Sequence, residues 1–516
     1  LVMAVALTTQ TIFAQVPSYV STSGLVGYWP FNGNANDESG NYHGTETNVT
    51  YGGGVYERGA VFNGSSSQIT APVPNMGNDF TISVDIIGEE LNDNLNLNVF
   101  RYCSNFDITD MKVSKCAAKP IYIDNATAYY NDWVENFLMW DNNNFTISNL
   151  ESSYSGMNGV YIGSNNKDFT VNNCLFEHNA GSGVQAAWSS FGNFPSNFSI
   201  TGCLIQYNRA DAIDLNNTGT LIDANIVINS NNMKWNGWGN EDESGTNGTN
   251  DGSGIATLVK LKKVTITNNV VYACYRAGLY IKDSYDIVAT GNIINKTNTS
   301  VGEGIYVDTG FIVFISNNSI SVPETLPSFK LYSLSSNTMV NVSNNYFNGL
   351  IEFAGGAYTK CEFNYNNVRT KNQVNIPISI TGNKFEIYGG GQNGVYLTAS
   401  HITFKDNYVS AANYALISPS GINGVNIIDN TIIGGNGGIR IDSNYYSKIS
   451  GNYGSGVGSA GIHLLACGSC ELSSNKASSV SGNSFRVEST CTLTNKWGNY
   501  VIAGPSDYAG TYGINY

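Results

Sequence analysis

Two aspartates, Asp211 and Asp214, stand three residues apart in the stretch "RADAIDLNN". Paired carboxyls across a sugar linkage hydrolyse it: one protonates the leaving oxygen and the other attacks or activates water. Asp242, Glu243 and Asp251, in "NEDESGTNGTNDG", could supply a further carboxyl. An eliminating enzyme needs instead a base beside the sugar carboxylate and a cation to steady the developing charge. Lys282 and Arg276 are the candidates for that work. The same acidic stretch offers the hard oxygen ligands that calcium takes, with Asp242, Glu243 and Asp251 as weak ligand candidates, although its spacing is not that of an EF-hand loop. The plain alternative for all these charges is a solvated rim.

These residues work together only if the fold brings distant segments side by side, and the sequence carries a repeat that does so. The line "FTVNNCLFEHNAGSGVQAAWS" from Phe169 and the line "VTITNNVVYACYRAGLYIKDS" from Val264 share one template of apolar and polar positions. Similar lines begin at Phe106, Phe145, Phe198, Thr220, Ile287, Val313, Val340, Cys361, Ile378, Ile402, Val425, Ser447 and Cys470, mostly 21 to 29 residues apart. A recurring period of this length marks a solenoid. Sixteen residues into a line lies the middle of an apolar-x-apolar triplet: Tyr122, Tyr161, Gln185, Asp214 or Tyr280, and later His463 and Arg486. Strand side chains alternate, so this middle residue points outward while its neighbours point in. An asparagine recurs five residues into the line, at Asn225, Asn269, Asn292, Asn318, Asn345, Asn366, Asn383, Asn407, Asn430, Asn452 and Asn475. Asparagine tolerates left-handed backbone at a sharp turn, and stacked amides bond to one another. Cys174 and Cys203 occupy the same slot as small inward fillers, and Cys470 and Cys491 share the line start, where a disulfide could form. "CGSC" at Cys467 to Cys470 lacks the βαβ context of a redox motif.

The expected fold is all-β: a right-handed parallel β-helix of about fifteen coils, a rod on the order of 70 Å long at ~4.8 Å per coil. The pattern resembles the pectate-lyase-like superfamily of single-stranded right-handed β-helices over residues 97–516. That resemblance implies the fold but no one chemistry, because such helices include lyases, hydrolases, tailspikes and non-catalytic surface proteins. Of the polygalacturonase-like signatures only Arg440, Ile441 and Asp442 resemble an Arg-Ile-Lys strand, without its lysine, so no catalytic residue is carried over. Residues 24–86, with "GLVGYWPFNGNANDESGNYHGT" and "GAVFNGSSSQITAPVPNMGNDFTISVDI", resemble instead the opening strands of a laminin-G-like, concanavalin-type jelly roll. The expected division is a signal remnant at 1–14, a jelly-roll-like segment or N-terminal cap at 15–96, the β-helix at 97–490 and a C-terminal cap at 491–516.

On such a rod the outward triplet residues form one strip: Tyr122 and Asp124, Tyr161, Gln185, Asp214 and Asn216, Ala256, Tyr280 and Lys282, then Tyr306 and Asp308. Insertions at 124–144, 188–197 and 231–252 should wall it with Trp133, Trp140, Trp188, Trp235 and Trp238. Aromatic faces, amides and carboxylates suit an extended glycan; the rival reading is that the tyrosines merely cover a sheet.

Bulk properties narrow the partners. Only 12% of residues are charged, and the net charge is −14, so a phosphate backbone is repelled. The apolar start "LVMAVALTTQTIFAQVPSYV" reads as a secretion signal cut after Ala14, and no other stretch is apolar enough to span a membrane. The sequence thus points to a secreted or cell-surface protein that binds a polysaccharide or surface glycan, and leaves open whether it also cleaves it as a lyase or glycoside hydrolase. The alternatives are a non-catalytic adhesion or tailspike-like rod, and a purely structural repeat.

Overall fold

The structure, a computed structural model, describes residues 23, 25–53, 58–62, 66–72, 80–82, 100–101, 104–109, 112–114, 137–187, 192–216, 220–237, 252–258, 260–296, 302–309, 311–333, 339–355, 360–505, 507–508 and 511–512. Every regular element among them is a β-strand, and from Phe80 onward every strand pairing is parallel. Each coil contributes one short strand to each of three faces. The first face runs through Asn143–Ser148, Lys167–Asn172, Ser196–Thr201 and onward to Thr492–Trp497. The second is a 16-stranded sheet from Lys112–Ser114 to Tyr500–Ala503. The third is a 10-stranded sheet ending at Leu350–Gly355, which packs against Val374–Ile376, the first strand of the 7-stranded sheet that continues it.

Period-two alternation fills the interior. Val, Ile and Phe at alternate positions leave a single continuous buried cluster along the rod. Phe145, Phe169 and Phe198 are in register and stack at 4.7 and 4.6 Å between ring centroids.

At the corner between the first and second faces each coil turns on two residues. One takes left-handed backbone, as Asn268, Gly291, Asn317 and Asn344 do. The next is the buried ladder residue. The Nδ2 group of each ladder asparagine donates to the Oδ1 of the next, from Asn231 through Asn269, Asn292, Asn318 and Asn345 to Asn475 and Asn499, at 2.9 to 3.2 Å. The backbone N–H of each donates to the same acceptor. The expected left-handed residue and the expected ladder residue are thus neighbours rather than one asparagine. Asn225 is corrected: it is exposed and bonds Asn197, while Asn231 takes the ladder slot. The line read from Thr220 starts at Ile226, which pairs with Phe198 and Val264, because extra residues precede it in Ile222–Asn229.

Cys174 and Cys203 are buried in that same slot, as expected. Cys470 pairs with Leu493 rather than Cys491, and Cys491 accepts the Cys467 N–H; all three thiols are free.

The described part of the head differs from the rod. Thr45–Thr47 pairs antiparallel with Gln68–Thr70, and Thr50–Gly53 with Arg58–Val61. Asp37 ties its first turns, accepting the N–H groups of Tyr28, Ser39 and Tyr42 at 2.8 to 2.9 Å. Burial would raise its pKa, but the hydroxyl of Ser39 and these backbone donors outweigh burial and hold it at about 2. Phe80–Ile82, within the jelly-roll-like stretch, pairs in parallel with Ser104–Thr109, so the rod starts before residue 97. At the far end Thr492–Trp497 and Tyr500–Ala503 continue the coil pairing inside the segment expected as a cap.

Candidate functional site

The third face carries the strip. Its strands Val160–Ile162, Val184–Ala187, Ile213–Asn216, Ile255–Leu258, Leu279–Lys282, Ile305–Asp308, Pro327–Ser333 and Leu350–Gly355 pair in one register. That register aligns Tyr161, Gln185, Asp214, Ala256, Tyr280, Tyr306, Lys330 and Glu352 in a single outward row. The residues flanking them, such as Val160 and Ile162 or Ile213 and Leu215, are fully buried, which is the alternation the triplet predicts.

The row holds two polar clusters. In the first, Asn158 donates to Gln185 Oε1 at 2.9 Å and Gln185 donates to Asp214 Oδ2 at 2.6 Å. This chain fixes the Asp214 carboxylate, which is only 6% exposed. Asp211 is placed differently. It is buried, and its Oδ1 accepts the N–H groups of Gly252 and Ser253 in the next coil. A carboxylate held this way splices coils together, and it is not a member of the outward row.

Two coils further on, Tyr280 and Tyr306 stack at 5.1 Å. The Arg276 guanidinium covers the Tyr280 ring at 4.9 Å, and Lys330 Nζ lies 5.2 Å from the Tyr306 ring centre. Tyr280 is 5% exposed. This corrects the expectation that these rings stack on sugar faces, since their own neighbours take the faces. Their hydroxyls remain the polar handles. Tyr280 OH lies 3.5 Å from Asp308 Oδ2, and burial together with the Asp308 charge pushes its pKa up to about 12. Burial and Asp308 raise Tyr306 further. Lys282 is the register partner of Asp308 on the adjacent strand. Burial and Asp308 also raise Asp283.

Two further corrections concern the N-terminal end and the walls. Leu138, not Tyr122, pairs with Tyr161, because the extra residues of that coil fall before its third-face strand Phe137–Trp140. Trp140 therefore lies on the strip itself, its indole over Gly163, where a Cβ would overlap it. Trp235 sits at a turn after Asn232–Lys234, edge-on to Tyr272 at 5.4 Å, in left-handed backbone like Tyr154, His178 and Tyr207 of preceding coils. Tyr154, His178 and Tyr207 form an outer stack at 5.0 and 5.1 Å that the triplet template does not reveal. Tyr122, Asp124, Trp133, Trp188, Trp238, Asp242, Glu243 and Asp251 lie outside the described residues. Among the described residues no cluster of three histidine, cysteine or acidic side chains is placed to hold a metal, and no helix is long and apolar enough to cross a membrane.

Along the same face the 7-stranded sheet continues the row with Asn375, Tyr396, Ile417, Arg440, His463 and Arg486. A cleft of about 450 Å³ opens there, lined by Tyr396, Tyr414, Asn413, Asn436, Arg440 and Asp442 among others. Sequence reasoning placed His463 and Arg486 in the row but missed Arg440. Its coil is one residue shorter than the sixteen-residue template, with Arg440 fifteen residues after Val425.

A family model described as "Right handed beta helix region" matches residues 196–347. No curated protein sequence matches the chain. Among solved structures, a tailspike protein mutant of E. coli bacteriophage HK620 in complex with a pentasaccharide is similar at 10% identity and a TM-score of 0.32, over 77% of this chain. This chain spans only 60% of that tailspike. The A-module of the Azotobacter vinelandii mannuronan C-5 epimerase is similar at 11% identity and a TM-score of 0.22, over 80% of this chain and 90% of its own. PfbA, a surface adhesin of Streptococcus pneumoniae, is similar at 13% identity and 0.25, over 72% and 70%. Scores at this level carry no argument about what this chain binds.

Proposed function

We propose that this protein is a polysaccharide-engaging β-helix that acts outside the cell, with an extended glycan lying along the third face. The observation that carries the reading is the outward row, polar in every coil but that of Ala256. It sets hydroxyl, amide, carboxylate and ammonium groups one coil apart, roughly every 4.8 Å, from Tyr161 to Glu352. Sugar hydroxyls need such donors and acceptors, spaced along a line and held rigid. The Asn158–Gln185–Asp214 chain and the Arg276–Tyr280–Tyr306–Lys330 stack both supply that rigidity. Rod-like secreted proteins of this composition also avoid nucleic acid through their negative charge.

Cleavage is the second reading, favoured by the fixed carboxylate of Asp214 with Lys282 two coils away. In a hydrolase Asp214 serves as acid or base; in a lyase Lys282 and Arg276 neutralise the sugar carboxylate. Incubation with immobilised acidic and neutral polysaccharides separates the readings by following retention, new reducing ends and unsaturated uronates. Retention that drops at least tenfold in Asp214→Asn supports the face as the binding surface. Reducing ends lost with Asp214→Asn mean hydrolysis, and unsaturated product lost with Lys282→Ala means elimination. No retention of any polymer defeats the proposal.

A further inference from the structure

The C-terminal part of the third face has a chemistry of its own. Arg440, His463 and Arg486 are register partners on three successive strands, Gly437–Asp442, Ile462–Leu465 and Phe485–Val487. In the outward row they form the single run of consecutive basic side chains among the described residues. In a chain of net charge −14, two arginines flanking a histidine in line are a local exception that needs a reason.

Each arginine is oriented by a carboxylate two residues on, through Nε alone. Arg440 Nε donates to Asp442 at 2.8 Å, and Arg486 Nε to Glu488 at 2.8 Å. Among the described residues the Nη groups of Arg440 make no hydrogen bond, while its guanidinium is propped 5.5 Å from the centre of the Tyr414 ring. The Tyr414 hydroxyl is in turn bonded to Ser459 at 2.5 Å. A guanidinium locked by its Nε and its face presents a pre-set two-nitrogen fork, the geometry that grips a planar carboxylate. His463 is 7% exposed, and its Nε2 lies 3.1 Å from Glu488; its buried Nδ1 has no partner among the described residues. Burial holds its pKa below the ordinary value, against the opposing effect of Glu488.

The fork opens on the cleft, whose volume of about 450 Å³ lies in the range of small-ligand sites. Its polar walls are three amides, the phenols of Tyr396 and Tyr414, and the Asp442 carboxylate that Arg440 Nε engages. Asn436 bonds Asn413 at 3.1 Å and Asn393 bonds Tyr396 OH at 3.0 Å, so these groups are held in place, and each retains capacity for a further bond. Ile417 and Pro419 give the cleft an apolar patch. We propose that this cleft binds an acidic saccharide residue, its carboxylate taken by the Nη fork of Arg440 and its hydroxyls by Asn413, Asn436 and Tyr396. The site goes beyond the reading of the Asp214 region: Arg440 is nine coils along the face from Asp214, about 43 Å by strand spacing, and it stands or falls separately.

The test is calorimetric titration of the full chain with a panel of uronate tetrasaccharides, with the same tetrasaccharides carboxyl-reduced to their neutral forms, and with sodium acetate. The expected result is that one uronate binds, that its reduced form and acetate bind at least tenfold more weakly, and that Arg440→Gln loses at least tenfold while Asp406→Asn, at an exposed turn between Thr403–Lys405 and Tyr408–Ala411, loses nothing. Arg440→Lys keeps the charge but not the fork and should lose nearly as much. Asp442→Ala frees the Nε while keeping the arginine and should weaken binding, by less than Arg440→Gln does, which keeps the test open if an arginine variant fails to fold. Equal binding of the reduced form or of acetate, no binding by any uronate, or undiminished uronate binding by Arg440→Gln would overturn the assignment.

Discussion

At the scale of single residues, the interior of the rod tolerates one group that it should not. Lys296 is wholly buried, with Nζ 3.2 Å from the Tyr275 carbonyl, near Cys274 and Glu303. It follows a run in which Asn179, Asn208, Asn236 and Cys274 bond one to the next across coils, a second polar ladder parallel to the first. Burial lowers its pKa to about 7, with Cys274 and Glu303 opposing. The sign of the consequence follows from proton counting. Between about 7 and the ordinary lysine range the unfolded chain holds a proton that the folded one has lost, so stability rises with pH across that window. Below about 7 both states are charged and the cost of burying the charge is fully felt. Lys296→Met should therefore raise the urea midpoint at about pH 6 more than at about pH 9. Equal gains at the two values would show that the lysine is charged, or neutral, throughout.

At the scale of the element, the asparagine ladder is the device that sets the coil. Asn345 Oδ1 accepts both the N–H and the Nδ2 of Asn318, and its own amide serves Ile315, Ser343 and Asn366. Removing it strands at least two buried donors, at about 1–3 kcal/mol each. Asn345→Ala should cost about 3 kcal/mol, and amide hydrogen exchange should show the loss centred on the coils around 318–366. Asn499→Ala, at the end of the row, should cost markedly less. The ladder was legible in the sequence because its residue type is nearly fixed and its offset from the first strand is constant. The strip was legible where coils keep sixteen residues between line start and triplet, as for Tyr161, Gln185, Asp214, His463 and Arg486. It failed where length changes hide between strands. Extra residues displaced Asn225 and Tyr122 from their expected roles, and a missing one concealed Arg440. With a side-chain period of two, a slip of one residue exchanges inside for outside. The occupied faces of Tyr280 and Tyr306 and the splice made by Asp211 depend on contacts between coils, which no single line records.

At the scale of the whole molecule, the rod is one continuous interior wrapped by three sheet faces. Six cysteines, Cys174, Cys203, Cys274, Cys467, Cys470 and Cys491, are buried thiols within it. They should resist a bulky thiol reagent in the native protein and all react once urea opens the coils, as read by mass spectrometry of labelled peptides. Labelling of Cys467 or Cys491 without unfolding would show that the C-terminal coils open by themselves. The ladder also has a direction. Each asparagine donates twice, through its N–H and its Nδ2, to the asparagine of the coil that follows it in the chain, while its Nδ2 also reaches back to a carbonyl of the coil before. A coil just emerged from the ribosome or a secretion pore therefore waits with two open donors until the next coil arrives to close them. Growth from the first coil to the last is then self-checking, like a zip whose every tooth is locked by its successor, and a chain cut short between coils carries its defect at the cut end.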